Sequence, residues 1–473
     1  MKILHILPRM IGGGPERSVL ALASEMASLG YLCKHVIAVF DPPISRTMLL
    51  AARRLKIDVA VRPDQAVLQR LVIDADIVQI HYWNHPALLA LLRGMALPPA
   101  RVIVCSCILG VTAPQVLTEA IGRFADALVL TSEASSESAG AIAARADGRP
   151  VVVLPGVADM TRLDGFTRRA HAGCVVGYLG VVNDAKMHPH FAQMAARVAH
   201  PSVRFLICGG GGGEEALRRD LETLGLGPRT EIIGPVEHIR QVLERMDIFG
   251  YPLAEQTYAT SEKALQEAMW VGLPPVVFPH GGVRLLVQHE RTGLVAQTEG
   301  DYVAAIDRLA GDAGLRSKLG AEARKFARLH FDPRRWAQTA MALMNEVTSL
   351  PRRHRTPLQG GEGATGFVAA LGDLGGPFAA SLAGPSAEGA DIEQIETADN
   401  IIAGSHTVLA NGEGGVIHHR NFASHDPHLR LWSGLLAEQA GNYARARAEY
   451  EAARTLGLAD SRPARYIARC ADR

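Results

Sequence analysis

The sequence predicts an α/β protein built from two doubly wound domains, and three observations support this. Short continuous runs of Val, Ile and Leu alternate with helical patterns from residue 2 to about residue 345. Runs that are apolar at every position are typical of parallel strands buried on both faces. Two successive sets of about six such units favour two open parallel sheets. The chain has 473 residues, enough for two or three domains.

The predicted strands form two series, separated by a segment with little periodicity at 155–173. The first series lies at 3–7, 35–40, 58–61, 77–81, 102–106, 127–131 and 151–154. The second series lies at 175–179, 204–209, 231–234, 248–251 and 275–279. We therefore predict a first domain over residues 1–160 and a second over residues 174–332, followed by a helix at 333–350.

The composition changes after Pro351. Residues 351–399 are rich in Gly, Ala, Pro and Ser, which predicts a linker with some short structure. From His425, small and aromatic residues at helical spacing predict a hairpin that resembles one tetratricopeptide repeat. We therefore expect a mostly helical extension over 400–473. Since a single repeat cannot bury both of its faces, the hairpin either caps the main body or binds a partner or acceptor.

The charge and cysteine content limit the compartment and the partners. The formal net charge of +1 argues against nucleic acid as a partner. No uncharged apolar run approaches the roughly 18–20 residues of a membrane span, and the N-terminal M-K-I-L-H-I-L is too short for a signal peptide. The scattered cysteines are typical of a reduced cytoplasmic protein. Cys105-x-Cys107 could bind a metal or form a redox pair, but no second pair at zinc-site spacing is near.

The most informative segment runs from Tyr258 to Pro274 and reads Y-A-T-S-E-K-A-L-Q-E-A-M-W-V-G-L-P. The polar residues Thr260, Ser261 and Glu262 open a predicted helix. The free N–H groups and the positive dipole at the start of a helix suit a phosphate. A carboxylate further along the helix, Glu267, can accept hydrogen bonds from the vicinal diol of a ribose.

This segment resembles the donor loop of GT-B fold glycosyltransferases of family 4 (glycosyl transferases group 1), which reads E-G-F-G-x-x-x-x-E-A-M-A-x-G-x-P. The closing half, E-A-M-W-V-G-L-P, matches, whereas the first Glu of the pattern falls on Ala259. The resemblance covers roughly residues 1–347. It implies two Rossmann-like domains facing across a cleft, with the acceptor side in the first, the nucleotide-sugar donor in the second, and the helix at 333–350 packed back on the first.

A glycine-rich loop, Gly12-Gly13-Gly14-Pro15-Glu16-Arg17, follows the first predicted strand. Glycines let the backbone approach a ligand closely. The motif G-G-x-E-R resembles the family-4 loop that lies over the donor phosphates and the acceptor. The resemblance therefore implies donor contacts from Gly12, Gly13, Gly14 and Arg17. The alternative is a tight turn whose Arg17 pairs with Glu16 or with a neighbouring helix.

Family members usually carry an Arg and a Lys that neutralise the donor diphosphate, in a motif G-R-L-x-x-x-K. Here G-V-V-N-D-A-K places Lys186 at the Lys position and Val181 at the Arg position. The candidates to replace the missing cation are Arg9, Arg17 and Arg284. The resemblance implies that Lys186 and Glu262 are catalytic. It implies further donor contacts from Thr260, Ser261, Glu267 and the backbone at Val236.

Two segments at the carboxyl ends of predicted strands are expected to line the acceptor cleft, through His81 and Cys107. Related enzymes commonly carry a His where Cys107 stands. His81 could instead be a structural histidine. His81 and His85 could also form a metal pair at i and i+4, but no carboxylate nearby in sequence completes it, so no metal is expected.

The resemblance implies transfer of a sugar from an NDP-sugar to a carbohydrate or lipid-linked acceptor, with retention of configuration and without metal or cofactor, as in polysaccharide biosynthesis. Retention in this fold needs no carboxylate pair of the glycosidase kind. The departures at Val181, Cys107 and Ala259 also fit a degenerate GT-B scaffold that binds a nucleotide sugar, or a protein partner through 400–473. An epimerase on the same fold lacks an assignable acid–base set. The basic cluster at 352–355 suggests peripheral contact with the inner face of a membrane.

Overall fold

The computed structural model describes residues 1–94, 97–384, 392–458 and 460–471. Its first domain contains seven strands that form one sheet, and these are Lys2–Leu7 (β1), Lys34–Val39 (β2), Asp58–Val61 (β3), Ile77–Tyr82 (β4), Val102–Ser106 (β5), Ala127–Leu130 (β8) and Val151–Val153 (β9). All neighbours pair in parallel, in the order β3-β2-β1-β4-β5-β8-β9. A small antiparallel hairpin, Val111–Thr112 (β6) and Gln115–Val116 (β7), follows β5.

The helices of the first domain are Gly14–Ser28 (α1), Arg46–Arg54 (α2), Gln65–Asp74 (α3), Pro86–Gly94 (α4), Glu119–Phe124 (α5) and Ala139–Ala146 (α6), with a 3-10 turn at Glu133–Glu137. Every residue of β4 and β5 is buried, because helices cover both faces of the sheet. The strand order reverses beside β1, and ligands of such sheets bind at the carboxyl ends next to that point.

The second domain repeats this plan with Cys174–Leu179 (β10), Val203–Cys208 (β11), Thr230–Gly234 (β12), Ile248–Tyr251 (β13), Pro275–Val277 (β14) and Leu294–Val295 (β15). They form a parallel sheet in the order β12-β11-β10-β13-β14-β15. Its helices are Phe191–Arg197 (α7), Glu214–Thr223 (α8), Ile239–Leu243 (α9), Lys263–Trp270 (α10), Glu299–Gly311 (α11) and Ala313–His330 (α12), with 3-10 turns at Gly227–Arg229 and Gly281–Leu285. The prediction of two doubly wound domains is confirmed.

Two segments connect the domains. The first contains a 3-10 turn, Met160–Leu163, and buries Val157 and Ala158 in the core. The second is the helix Pro333–Thr348 (α13), which begins at the capping residue Asp332 and packs against α1 of the first domain. Trp336 is among its buried residues. The chain therefore crosses between the domains twice.

A helical lobe follows, and the linker prediction for 351–399 is wrong over most of its described length. The helices of the lobe are Gly363–Leu371 (α14), Gly376–Ala383 (α15), Ile392–Ala403 (α16), Thr407–Asn411 (α17), Val416–Phe422 (α18), Pro427–Gln439 (α19), Tyr443–Thr455 (α20) and Arg462–Ala471 (α21), with a 3-10 turn at Gly372–Gly375. The aromatic rings of Phe367 and Phe378 lie 5.0 Å apart, and that of Phe378 lies 5.0 Å from Trp432. A few aromatic residues thus give this Gly- and Ala-rich segment a core of its own.

The predicted hairpin is formed by α19 and α20, which are joined by a short turn. A Cβ added to Gly434 would lie 2.4 Å from the ring of Tyr450, so the helices cross closely where the sequence has a small residue. The helical extension is confirmed. Its likeness to a tetratricopeptide repeat stays a prediction.

The basic cluster at 352–355 ties the start of the lobe to the first domain. Arg352 donates to the carbonyls of Ile73 and Ala75, at 2.9 and 2.8 Å. Arg353 and Arg355 both bind Asp126. The three arginines of the cluster are therefore bound to the first domain, and contact of this region with a membrane stays a prediction.

One stretch of the described chain, Gly363–Ala383, has the length and composition of a membrane span. It is broken into two helices, and Phe367, Leu371 and Phe378 are buried in the core of the lobe. Inside the structure 39% of this stretch is buried, and one such stretch is weak evidence of a membrane span.

Candidate functional site at the domain interface

The loops at the carboxyl ends of the two sheets meet across the interface. Lys263 at the start of α10 donates to Ser18 of α1, with 2.6 Å between Nζ and Oγ. A Cβ added to Gly282 would lie 2.9 Å from Oγ of Ser132 in the first domain. The interface therefore brings α10 of the second domain against α1 of the first, and the 3-10 turn Gly281–Leu285 against the loop that follows β8.

An ion pair lies at the N-terminal end of α10. Nζ of Lys186 is 2.6 Å from Oε1 of Glu262, and the hydroxyl of Tyr251 donates to Oε2 of the same carboxylate. Lys186 follows β10, and its carbonyl accepts a hydrogen bond from Ala254 N at 2.9 Å. Tyr251 is the last residue of β13. Neighbouring strands and the helix thus hold all three groups together.

Glu262 has an uncommon backbone and a stabilised charge. It is the N-cap of α10 with φ of 32°, in the left-handed region where a non-glycine residue is strained. Burial alone would raise the pKa of this carboxyl, but Lys186, Tyr251 and Lys263 together hold the pKa below its ordinary value. Glu262 is therefore an anion inside the interface.

Lys263 was not singled out by the sequence analysis. It is half-buried, and its Nζ contacts a neutral hydroxyl, that of Ser18. Burial lowers the pKa of Lys263 to about 8, a shift opposed by Cys107, Glu267 and Glu262 and reinforced by Arg17. The family pattern has a variable position here, so only the fold shows that this lysine points into the interface.

Glu267 lies on α10 and is buried, with 3% of its surface exposed. Its nearest cation is Arg162, whose Nη1 is 3.6 Å from Oε1. Burial raises the pKa of Glu267 to about 7, although Arg162, Arg17 and Lys263 oppose this shift. The carboxyl can therefore change its charge near neutral pH.

The neighbouring residue Gln266 ties α10 to the segment that joins the domains. Its amide nitrogen donates to the carbonyls of Gly156 and Ser261, at 2.9 and 2.6 Å, and its oxygen accepts from Ala158 N at 3.3 Å. Thr260 and Ser261 are buried in the loop before α10. Val236, beyond β12, is partly buried against the core.

The glycine-rich loop lies at the start of α1. Gly12 has φ of 105°, a conformation that favours glycine, and Gly13 is the N-cap. Glu16 is buried beneath the loop, and its Oε1 accepts a hydrogen bond from Ile11 N at 3.3 Å. Arg17 is exposed, and its charge interacts with Glu267 of the opposite domain. The charge of Arg17 also interacts with Glu16, so the alternative in which Arg17 pairs with Glu16 or with a neighbouring helix stays open.

His81 and Cys107 line one small cavity of about 50 Å³, together with Ser18 and Gly156. Nε2 of His81 is 3.2 Å from Nδ1 of His5. Burial lowers the pKa of His81 to about 3, so the imidazole is neutral. The structure therefore brings the two residues together at one cavity, and their place in an acceptor cleft stays a prediction.

The side chains of the two metal alternatives have other partners in the structure. His85 lies 3.4 Å from Asp41 and packs against His418, whereas His81 contacts His5. Cys105 accepts a hydrogen bond from Gln79 at 2.8 Å, and both cysteines are free thiols.

Elsewhere in the described chain, His188, His190 and Glu299 have ligand atoms within 4.8 Å of one another. Glu299, however, also pairs with Arg197 at 3.4 Å, and this cation competes for the carboxylate.

Two of the three arginines considered as replacements for the missing cation are engaged elsewhere. Arg9 forms an ion pair with Glu413 of the helical lobe. Arg284 is partly exposed and lies 3.9 Å from Glu137. The third, Arg17, faces Glu267.

Residues 173–312 match the family model described as Glycosyl transferases group 1. The matched residues span most of the second domain, so the similarity to this family lies in that domain. The domain contains Lys186, Glu262, Lys263 and Glu267. The prediction of the family, made from the segment between Tyr258 and Pro274, is confirmed.

Two curated relatives match this chain over about half of its length. A D-inositol 3-phosphate glycosyltransferase of Mycobacteroides abscessus is 28% identical over 268 residues, which are 52% of this chain and 56% of the relative. An exopolysaccharide phosphotransferase of Streptomyces coelicolor is 28% identical over 266 residues, 53% of this chain and 26% of the relative. The chain thus spans about half of the first relative and about a quarter of the second.

Solved structures show the same GT-B fold. The Anabaena protein HepE in complex with UDP has a TM-score of 0.60 and 17% identity, covering 73% of this chain and 100% of HepE. A sucrose-phosphate synthase of Thermosynechococcus elongatus has a TM-score of 0.57 and 17% identity, covering 74% and 99%. At this identity the likeness concerns the fold, and it confirms the predicted pair of facing domains.

Proposed function

We propose that this protein is a glycosyltransferase that moves a sugar from a nucleoside diphosphate sugar to an acceptor hydroxyl, with retention at the anomeric carbon and without a metal ion. One arrangement carries the proposal. In a domain that matches the group 1 family, Lys186 lies at the N-terminal end of α10, and the buried Glu267 lies on the same helix. The glycine-rich loop of the first domain lies opposite, since Ser18, which follows this loop on α1, accepts a hydrogen bond from Lys263 of α10.

Each group has a role in this proposal. The first turn of α10 and Lys186 bind the diphosphate, because free N–H groups and a cation both favour a polyanion. Glu267 accepts hydrogen bonds from the ribose hydroxyls when it is ionised. The backbone of Gly12–Gly14 approaches the donor from the other domain. Thr260, Ser261 and the backbone at Val236 complete the donor contacts.

The reaction follows from this placement. The bond between the anomeric carbon and the phosphate oxygen breaks, and a bond to the acceptor oxygen forms on the same face. The acceptor proton passes to the leaving phosphate oxygen, so the step needs no enzymatic nucleophile. Negative charge grows on the departing diphosphate, and positive groups fixed in a water-poor interface stabilise it.

The donor and acceptor classes are part of the proposal. HepE was solved with UDP and with UDP-glucose, which makes UDP the first nucleotide to test. We propose a carbohydrate or lipid-linked acceptor, as in polysaccharide biosynthesis, because one relative is named for exopolysaccharide. The free cysteines are consistent with the cytoplasm as the compartment.

A degenerate scaffold that binds ligands or a partner is the second candidate, and one observation favours it. The carboxylate of Glu262 already forms an ion pair with Lys186, as a donor phosphate would. In this alternative the internal ion pair is permanent, and the lobe over 400–473 serves as the partner surface.

Calorimetric titration with UDP, GDP, ADP and TDP, with and without magnesium, separates the two candidates. We expect micromolar binding of one nucleotide that is indifferent to magnesium. Lys186→Ala and Glu267→Ala should each weaken it about tenfold or more. Lys325→Ala is the matched control, because this lysine of α12 is exposed and pairs only locally with Glu322. Failure of all four nucleotides to bind the wild type would contradict the transferase proposal.

A further inference from the structure

The second diphosphate cation of the family is absent from its usual position, where Val181 stands with 41% of its surface exposed. A nucleoside diphosphate carries two to three negative charges at neutral pH, and the structure shows Lys186 already balanced by Glu262. A second buried cation beside this pair would compensate for the loss. The inference below rests on the proposed donor site.

Lys263 is a half-buried cation whose charge interacts with Glu262 of this pair. It is adjacent in sequence to Glu262 and is the first residue of α10. Its Nζ lies 2.6 Å from a hydroxyl, so its charge is hydrogen-bonded but is not neutralised by this contact. A Cβ added to Gly156 would lie 3.1 Å from the same Nζ, which shows how closely the lysine fits against the connecting segment.

Two lysines act on one anion. Lys186 contacts the carboxylate of Glu262 directly, and Lys263 stabilises the same negative charge through space. The region around this carboxylate is therefore a place where both lysines favour an anion. A diphosphate that displaces Glu262 from Lys186 is therefore attracted by the positive charges of both lysines.

Three other arginines near the interface have carboxylate neighbours, and a fourth, Arg17, is an exposed residue of the glycine-rich loop whose charge interacts with Glu267. Arg9 and Arg284 face Glu413 and Glu137. Arg162 lies beside Glu267, at 3.6 Å.

We propose that Lys263 is the second diphosphate-binding cation of this protein, held on Ser18 while the site is empty and transferred to the donor diphosphate when it binds. The pair Lys186 and Lys263 then takes the place of the Arg and Lys of the family. Because the contact to Ser18 is lost on binding, Ser18 itself contributes nothing to the bound state.

A competing explanation is that Lys263 only clamps the two domains together through Ser18. The two explanations differ in their consequences for Ser18. A clamp is broken equally by Ser18→Ala and by Lys263→Ala, whereas a diphosphate ligand is lost only with the lysine.

The test is calorimetric titration of the full chain with UDP, GDP, ADP and TDP and with the matching monophosphates. We expect Lys263→Ala to weaken binding of the preferred diphosphate about tenfold to a hundredfold, and that of its monophosphate much less. Ser18→Ala should bind as the wild type or slightly tighter. Lys263→Arg, which keeps the charge, should retain most of the affinity, and it serves as the informative variant if Lys263→Ala fails to fold.

Two results would overturn the inference while the proposed function stands. In the first, the wild type binds a diphosphate and Lys263→Ala binds it equally well. In the second, Ser18→Ala loses as much affinity as Lys263→Ala. If the wild type binds none of the four diphosphates, the proposed function fails and the inference fails with it.

Discussion

Nζ of Lys186 lies 2.6 Å from Oε1 of Glu262, the N-cap residue of α10. The lysine that is expected to bind a diphosphate is therefore already neutralised by a carboxylate of the protein. The two residues are far apart in sequence, and the meeting of the loop after β10 with the start of α10 creates the pair. The carboxylate occupies a position suited to an anion. A nucleotide must therefore compete with a group of the protein itself.

Substitution of Glu262 by Gln should separate binding from catalysis. Removal of the competing negative charge should tighten UDP binding by severalfold, because Lys186 becomes free to contact a phosphate. If Glu262 also contacts the donor sugar, as the family resemblance implies, sugar transfer should fall in the same variant. Calorimetry with UDP and a transfer assay measure the two effects.

The control for this variant is Glu322→Gln on the surface of α12, where the carboxylate pairs with Lys325. Glu322→Gln should change neither the affinity for UDP nor the rate of sugar transfer. Weaker UDP binding by Glu262→Gln would show that the carboxylate supports the nucleotide rather than competing with it.

Glu267 should make stability depend on pH. Its pKa is raised to about 7 in the folded protein, from an ordinary value of 4.5. The folded state therefore binds more protons than the unfolded state between these values, and the free energy of unfolding falls as pH rises from about 5 to 8. We expect the decline in the free energy of unfolding between pH 5 and pH 8 to be about 1–3 kcal/mol smaller in Glu267→Gln than in the wild type. Thermal unfolding at pH 5 and pH 8 measures it, and equal pH dependence in both proteins would refute the assignment.

Lys263 should give nucleotide binding an alkaline limit. Its pKa is lowered to about 8, so its charge is lost at a lower pH than that of an ordinary lysine. The groups that face it are Cys107, Glu267, Arg17, Glu262 and His81.

Burial raises the pKa of Cys107 and lowers that of His81, so both of these side chains are neutral near pH 8. Diphosphate affinity should therefore fall between pH 7 and pH 9. In Lys263→Arg it should stay nearly constant over this range. A fall of equal size in both proteins would assign the pH dependence to another group.

Asp126 should anchor the helical lobe. It binds Arg353 and Arg355, and its Oδ2 accepts a hydrogen bond from Val102 N at 2.7 Å. Asp126→Asn leaves two arginines without their counter-charge, and removal of one partner of a buried pair costs about 3–5 kcal/mol. Denaturant unfolding measures this loss. The exposed pair of Asp58 and Lys34 supplies the control, since Asp58→Asn should cost less than about 1 kcal/mol.

The sequence predicted the two sheets well, because strands buried on both faces are apolar at every position. The family pattern pointed to Lys186 and Glu267 for a different reason, because both lie at set spacings from glycines and strand ends. It could not identify Lys263, because only the fold shows that its Nζ lies in the interface, 2.6 Å from Oγ of Ser18 in the other domain. The linker prediction was wrong because composition alone hides the few buried aromatic residues, such as Phe367 and Phe378, that give α14 and α15 a core.

The most direct measurement is a crystal structure of the protein with the bound nucleoside diphosphate. The account predicts phosphate oxygens within about 3 Å of Nζ of Lys186, at the N-terminal end of α10, with the pair between Lys186 and Glu262 broken. It also predicts that the ribose hydroxyls face Glu267. A nucleotide bound elsewhere, with Lys186 still on Glu262, would contradict the account and favour the degenerate scaffold.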